Sequence, residues 1–255
     1  MPAELFILIP VFFLIACLYS SVGFGGGSSY LAVLALFSFD IQLIKSTALL
    51  CNIVVVLAGC YFFYRSGHLS LSKVTPLVLL SVPCSFLGGS FELERNSFFL
   101  LLAVCLILAG ILMLLPRPVT NEPSIDGAQK KGRPFLNAGL GGGIGLLSGL
   151  VGIGGGIFLA PILHITRWDK AKVVAATASV FILVNSIAGL LGQASSGHFQ
   201  FQWTIMLSCM AAVFLGGQIG SRWGSGRLSP VWIRRITAFL ILLVGVRILL
   251  RELLD

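Results

Sequence analysis

No aspartate or glutamate interrupts any of the long apolar runs of this 255-residue chain, and only 10% of its residues are charged. A chain of this length folded in water needs far more polar surface than that; here 57% of residues are hydrophobic and the mean hydropathy is +1.01. The alternating ten-residue signature of a membrane barrel is also missing. The runs are of helix length and rich in Leu, Ile, Val, Phe and Ala, which predicts an all-α polytopic membrane protein.

Other absences narrow the chemistry. Neither glycine-rich stretch is followed by the Gly-Lys-Ser/Thr of a phosphate-binding loop, which argues against ATP-driven transport by this chain alone. No Ser/His/Asp constellation and no metal-ligand spacing occurs, so no catalytic residue, metal or cofactor is assigned and no enzyme is expected. Cys17, Cys51, Cys60, Cys84, Cys105 and Cys209 all fall inside apolar runs without a CxxC pair, and read as small buried hydrophobes. A membrane redox component using those thiols is one alternative reading, and a non-transporting assembly partner is another. The absence of a central carboxylate argues against an acidic cation site. The N-terminal Met1-Pro2-Ala3-Glu4 lacks the basic region of a cleaved signal peptide, so the first apolar run is expected to remain. The net charge of +8 sits between the apolar runs, as loops beside membrane lipid require, and implies no nucleic acid.

Ten apolar segments are present, near 5–22, 28–39, 46–64, 74–90, 98–115, 135–151, 157–166, 173–193, 203–221 and 233–250. The polar stretch from Pro116 to Pro134 divides them into a first membrane repeat (1–116), a cytoplasmic linker (117–134) and a second repeat (135–255). The duplication is legible residue by residue. Val22-Gly23-Phe24-Gly25-Gly26-Gly27 returns as Val151-Gly152-Ile153-Gly154-Gly155-Gly156. Ser46-Thr47-Ala48 matches Ala176-Thr177-Ala178, Ser66-Gly67-His68 matches Ser196-Gly197-His198, and Phe86-Leu87-Gly88-Gly89 matches Phe214-Leu215-Gly216-Gly217.

Positive charge decides how the segments cross. If 5–39 and 135–166 each make one crossing, the seventeen basic residues split eight against nine. If the chain instead turns back at each glycine cluster, thirteen share one side, leaving Lys45, Arg95, Arg247 and Arg251 on the other. The second split obeys the positive-inside rule and puts both termini outside the cytoplasm. It also gives each half five segments, an odd number, so the second half is inverted relative to the first, as in many secondary transporters. The pieces after the glycines are too short to span and are expected as re-entrant or half-helix segments.

The candidate binding residues follow from this plan. Gly25, Gly26 and Gly27, with Gly154, Gly155 and Gly156, let a ligand approach the backbone closely. The helix starts behind them carry free N–H groups and partial positive charge, which suit a small anion. Ser28 and Ser29 are placed to cap the first of these helices or to bind ligand; Ile157 and Phe158 replace them in the second copy. Thr47, Asn52, Thr177 and Asn185 are polar groups within apolar segments, and line a substrate path or bond neighbouring helices. His68 and His198 are expected in turns, where a proton-coupled cycle is the other use. Asp40, Lys45, Glu92, Glu94 and Arg95 are expected as solvated loop charges.

The duplicated Val-Gly-x-Gly-Gly-Gly motif, with Pro161 after its second copy and the Gly-Gly pairs at 88–89 and 216–217, resembles the sulfite exporter TauE/SafE family over nearly the whole chain outside the linker. Ala32 stands where symmetry with Pro161 would place a proline. The resemblance implies a permease of the bacterial inner membrane for a small sulfur-containing anion such as sulfite, sulfoacetate or another organosulfonate; coupling to a proton or sodium ion, or uniport driven by an interior-negative potential, would each suit an outgoing anion.

Overall fold

A computed structural model describes residues 2–20, 25–37, 39–115, 134–166, 168–223 and 230–254. Val22, Gly23 and Phe24 of the first glycine motif lie outside the described residues, as does the linker up to residue 133. The described residues form ten α-helices: α1 (Pro2–Ser20), α2 (Gly27–Ala35), α3 (Ile41–Arg65), α4 (Leu71–Ser90), α5 (Arg95–Leu114), α6 (Pro134–Val151), α7 (Gly156–Ile165), α8 (Ala171–Ser195), α9 (Trp203–Trp223) and α10 (Pro230–Leu254). Each expected apolar segment corresponds to one helix.

Five helices are long and apolar enough to cross a membrane among the described residues: Ile41–Arg65, Leu71–Ser90, Arg95–Leu114, Ala171–Ser195 and Trp203–Gly220. Their outward faces are apolar as well. Leu79, Phe62, Trp203 and Phe239 are among many large hydrophobic side chains exposed on the bundle surface. Patches of that extent are sustained by lipid, not by water. The protein is an all-helical, multi-pass membrane protein.

The helices pair in a pattern that repeats between the halves. Helix α1 packs on α9, and α6, which follows the linker as α1 begins the chain, packs on α4. Likewise α2 lies on α3 and α7 on α8, while α3 meets α8 and α5 meets α10. Exchanging the first five helices with the last five leaves these pairings unchanged.

Glycine sets the closest pairings. On α6, Gly141, Gly145 and Gly149 recur every four residues and so share one face. A methyl group on them would lie 2.0, 2.4 and 2.1 Å from the carbonyl oxygens of Leu77, Ser81 and Ser85 on α4. Gly216 and Gly220 of α9 approach the carbonyls of Phe13 and Cys17 on α1 in the same way, at 2.4 and 2.2 Å. Two helix backbones reach this separation only without side chains between them, the usual device for packing helices in lipid.

Polar contacts mark the two ends of the bundle. Lys73 pairs with Asp169 at the end where α4 and α8 begin. His198 Nε2 meets Glu92 Oε2 at 3.1 Å at the opposite end. Helices α3 and α8 run antiparallel: Ser46 Oγ donates to Gln193 Oε1 at 2.9 Å near one end, while Asn52 lies level with Ser186 further in, both beside Gly154.

One expectation is corrected here. Lys45 is not a solvated loop charge. Asp40 caps α3 by accepting from Gln42 N at 2.8 Å, which starts the helix at Ile41 and carries Lys45 into its second turn. Its side chain is 1% exposed.

Candidate functional site

The chain leaves the helix between α1 and α2 and again between α6 and α7. The second break shows why glycine recurs: Gly152, Gly154 and Gly155 have φ of +86°, +82° and +78°, a region that residues with a Cβ rarely adopt. Helices α2 and α7 are then only 9 and 10 residues long, ~14 and ~15 Å at 1.5 Å per residue, about half a hydrocarbon core. Each begins inside the protein, and all nine residues of α2 are buried.

The two breaks touch. A methyl group on Gly27 would come 2.6 Å from the carbonyl oxygen of Ile153, 2.1 Å from Asn52 Nδ2 and 2.6 Å from Asn52 Oδ1. Asn52, fully buried on α3, donates from Nδ2 to Ile153 O at 3.0 Å. One amide thus ties the first half of the chain to the glycine loop of the second. Its Oδ1 has no partner among the described residues.

The surroundings of the two glycine clusters correspond position by position. Gly25 faces Asn52, Val56 and Ile182; Gly154 faces Ile182, Ser186 and Asn52. In the alignment of the halves, Asn52 corresponds to Ile182 and Val56 to Ser186. Gly27 presses on Asn52, and Gly156 on Ile182. The crossing is therefore twofold in shape and single in chemistry: where one half brings an amide, the other brings an isoleucine.

Other expected site residues fall in different places. Ser28 and Ser29 are buried but do not cap α2, whose N-cap is Gly26 without a side-chain bond. Ser29 Oγ instead meets Tyr19 OH of α1 at 2.7 Å, because α1 passes alongside and offers a hydroxyl that competes with the free backbone amides. Asn185 folds back on its own helix, Nδ2 donating to Phe181 O at 2.8 Å. Thr47 and Thr177 are buried, with hydroxyls unpartnered among the described residues, but each lies five residues before the position that faces the glycines. Five residues turn an α-helix by roughly 140° beyond a full turn, onto another face. Gly26 and Gly155 are hemmed by aromatic rings, Tyr30 for the first and Phe181 for the second.

Two serines lie beside the second glycine loop: Ser186, one of the polar residues within the apolar segments, and Ser148, which was not expected there. Ser186 Oγ lies 3.0 Å from where a Cβ on Gly154 would sit, and Ser148 Cβ lies 3.4 Å from the same point on Gly155. Both hydroxyls are buried and unpartnered among the described residues. Ser186 carries a signal in the sequence, as one of two adjacent polar residues in an apolar run. Ser148 carries none beyond its place three residues before the glycine motif.

The arrangement suits an anion better than a cation. Helices α2 and α7 both start at the crossing, and the first backbone N–H groups of a helix have no intrahelical acceptor. The dipole of each helix adds partial positive charge at that end. The Asn52 amide has a second N–H, and the serine hydroxyls can donate. No cluster of acidic, histidine or cysteine residues fit to hold a metal occurs among the described residues.

Comparison with known proteins agrees with this architecture. The family described as Sulfite exporter TauE/SafE matches residues 8–248. The chain is 37% identical over 244 residues to "Probable membrane transporter protein y4hK" of Sinorhizobium fredii, covering 93% of this chain and 95% of that protein. It is 27% identical to "Probable membrane transporter protein YunE" of Bacillus subtilis, over 85% and 87% of the two chains. Similarity at 27% identity also extends to "Probable membrane transporter protein MJ0441" of Methanocaldococcus jannaschii, covering 72% and 70%. No solved structure matches the chain. A family match across nearly the whole length, on an all-helical chain with five candidate spans, leads to one conclusion: this protein belongs to the sulfite exporter TauE/SafE family and is a multi-pass membrane transporter, not an enzyme.

Proposed function

We propose that the protein is a secondary permease that carries a small sulfur-containing anion, such as sulfite, sulfoacetate or another organosulfonate, out across the bacterial inner membrane. The observation that carries this reading is that the start of α2 at Gly27 and the glycine loop that leads into α7, at Ile153 and Gly154, meet at the Asn52 amide. Two helix N-termini and an amide N–H in a water-poor interior complement one small oxyanion. The candidate residues are Gly25, Gly26, Gly27 and Asn52 with Gly154, Gly155 and Gly156; Ser28, Ser29, Thr47, Thr177 and Asn185 are the further candidates, for the path on either side of this shell.

The repeat is read as inverted, with both termini outside and the linker in the cytoplasm. The antiparallel run of the corresponding helices α3 and α8 and the thirteen-to-four charge split both favour this arrangement. The interior-negative potential favours export of an anion, by roughly 2.3 kcal/mol per charge at 100 mV. A proton or sodium ion remains the candidate for coupling.

Flux of labelled sulfite and sulfoacetate into proteoliposomes tests the reading. Saturable uptake above that of empty vesicles is expected, and uptake no faster than in empty vesicles for every sulfur oxyanion would remove the substrate. Orientation has its own measurement: a cysteine at position 255 should react with an impermeant maleimide from outside intact cells.

A further inference from the structure

We propose that Lys45 is the counter-charge for the transported anion, holding it between the glycine crossing and the end of the bundle that carries Glu92 and His198. The inference rests on the permease reading and names the one cation that reading lacks. Lys45 is 1% exposed, and neither the Lys73–Asp169 nor the His198–Glu92 pair includes it. A charge buried in an apolar segment is costly and is retained where a ligand or a functional partner completes it. The acidic charge acting on it is Glu92, which is largely exposed and meets His198 through Oε2.

Position ties Lys45 to the site. It precedes Asn52 by seven residues, two turns of α3, so both lie on one helix face. The second glycine loop runs along that face. Gly154 meets Asn52, while a methyl group on Gly152 would lie 3.1 Å from Lys45 Cα and 3.2 Å from its Cβ and Cγ. Gly152 thus gives the lysine stem a wall of bare backbone. Helical side chains lean toward the N-terminus, which directs the ammonium from the crossing toward the Glu92 end.

The repeat sharpens the argument. Lys45 corresponds to Ala175, Ser46 to Ala176, and Gln193 to Phe63. Ser46 and Gln193 are joined at the end that holds Lys45. One approach to the crossing therefore carries Lys45, Ser46 and Gln193 where the corresponding positions carry Ala175, Ala176 and Phe63.

Transport by Lys45→Met, Lys45→Gln and Lys45→Arg in proteoliposomes tests this, with sulfite and sulfoacetate as probes. Methionine keeps the unbranched stem against Gly152 and removes the charge. The expected result is a rise in KM of about tenfold for K45M and K45Q and less than about threefold for K45R, since a charge-assisted contact is lost only in the first two. The second readout is thermal: the stabilisation of wild type by added sulfite should vanish in K45M, whose ligand-free Tm stays at or above that of wild type. Should K45M not accumulate, K45Q against K45R carries the same contrast. Wild-type KM together with wild-type sulfite stabilisation in K45M would overturn the assignment to Lys45 while leaving the permease intact. A wild type that neither moves nor is stabilised by either anion overturns both.

Discussion

The two glycine crossings are built on one plan and filled with different side chains. At the first, Gly27 lies against the rigid amide of Asn52 and the backbone carbonyl of Ile153. At the second, Gly156 lies against the end of the Ile182 side chain, with the nearest contacts for an added methyl at 2.2 and 2.3 Å. A hydrogen-bonded amide and a main-chain oxygen cannot yield without breaking the bond that joins the halves. The tip of an isoleucine can rotate. Twofold folding thus supplies two helix starts, and a single substitution, Asn52 opposite Ile182, decides which of them is held by hydrogen bonding.

The largest test of this difference is the pair of alanine variants. Gly27→Ala is expected to reduce flux about 100-fold, equivalent to roughly 3 kcal/mol, the upper end of the cost of an overpacked contact. Gly156→Ala is expected to cost no more than about tenfold, because Ile182 repacks. Initial rates in proteoliposomes at equal protein would decide, and equal losses would dissolve the asymmetry.

Removing the amide comes next. Asn52→Leu strands the Ile153 carbonyl, and an unsatisfied buried acceptor costs about 1–3 kcal/mol. Thermal unfolding in detergent should show a lower Tm, and flux should fall about tenfold or more by the same loss. Ile182→Asn places an amide on the corresponding position, and a milder effect is expected because no existing hydrogen bond is broken.

A third comparison sits within one helix. Gly145→Ala on α6 forces a methyl to within 2.4 Å of Ser81 O and is expected to lower stability by about 1–3 kcal/mol. At Gly139, on the same helix, nothing lies within 4 Å of an added methyl. Gly139→Ala is therefore expected to be neutral or to stabilise by up to about 1 kcal/mol through helix propensity. Matched losses of Tm would show that propensity, and not helix contact, governs α6.

The smallest effects belong to the ends of the bundle. Lys73→Ala, which breaks the pair with Asp169, should change stability by less than about 1 kcal/mol, because the lysine is half-exposed and its charge is screened. His198→Ala, opposite a largely exposed Glu92, should likewise leave Tm nearly unchanged in a denaturation series at moderate salt.

Much of the fold was legible in the sequence because hydropathy is a local property. Ten apolar runs became ten helices, and the glycine clusters became the breaks before α2 and α7. The spacing of Gly141, Gly145 and Gly149 was equally readable, as a four-residue period places them on one face, though nothing in it says that α4 is the partner. The site was less legible. Asn52 stood out as a polar residue in an apolar run, but so did Thr47, Thr177 and Asn185, whose side chains lie on other faces or bond their own helix. Lys45 was hidden by its neighbours: beside Asp40 and Gln42 it reads as a loop charge until the Asp40 cap places it within α3.

The sequence by itself determined helicity, the two breaks, the duplication and the family, since each depends on residue type and spacing along the chain. Only the tertiary structure decided that the breaks meet, that Asn52 donates across the repeat to Ile153, and that Lys45 is enclosed beside Gly152. Those facts depend on which helix faces which. A polar residue in an apolar run costs the same in sequence terms whatever it touches. Its role is set by the neighbour that packing brings to it, and packing here was settled by glycines distant in sequence that let the backbones approach.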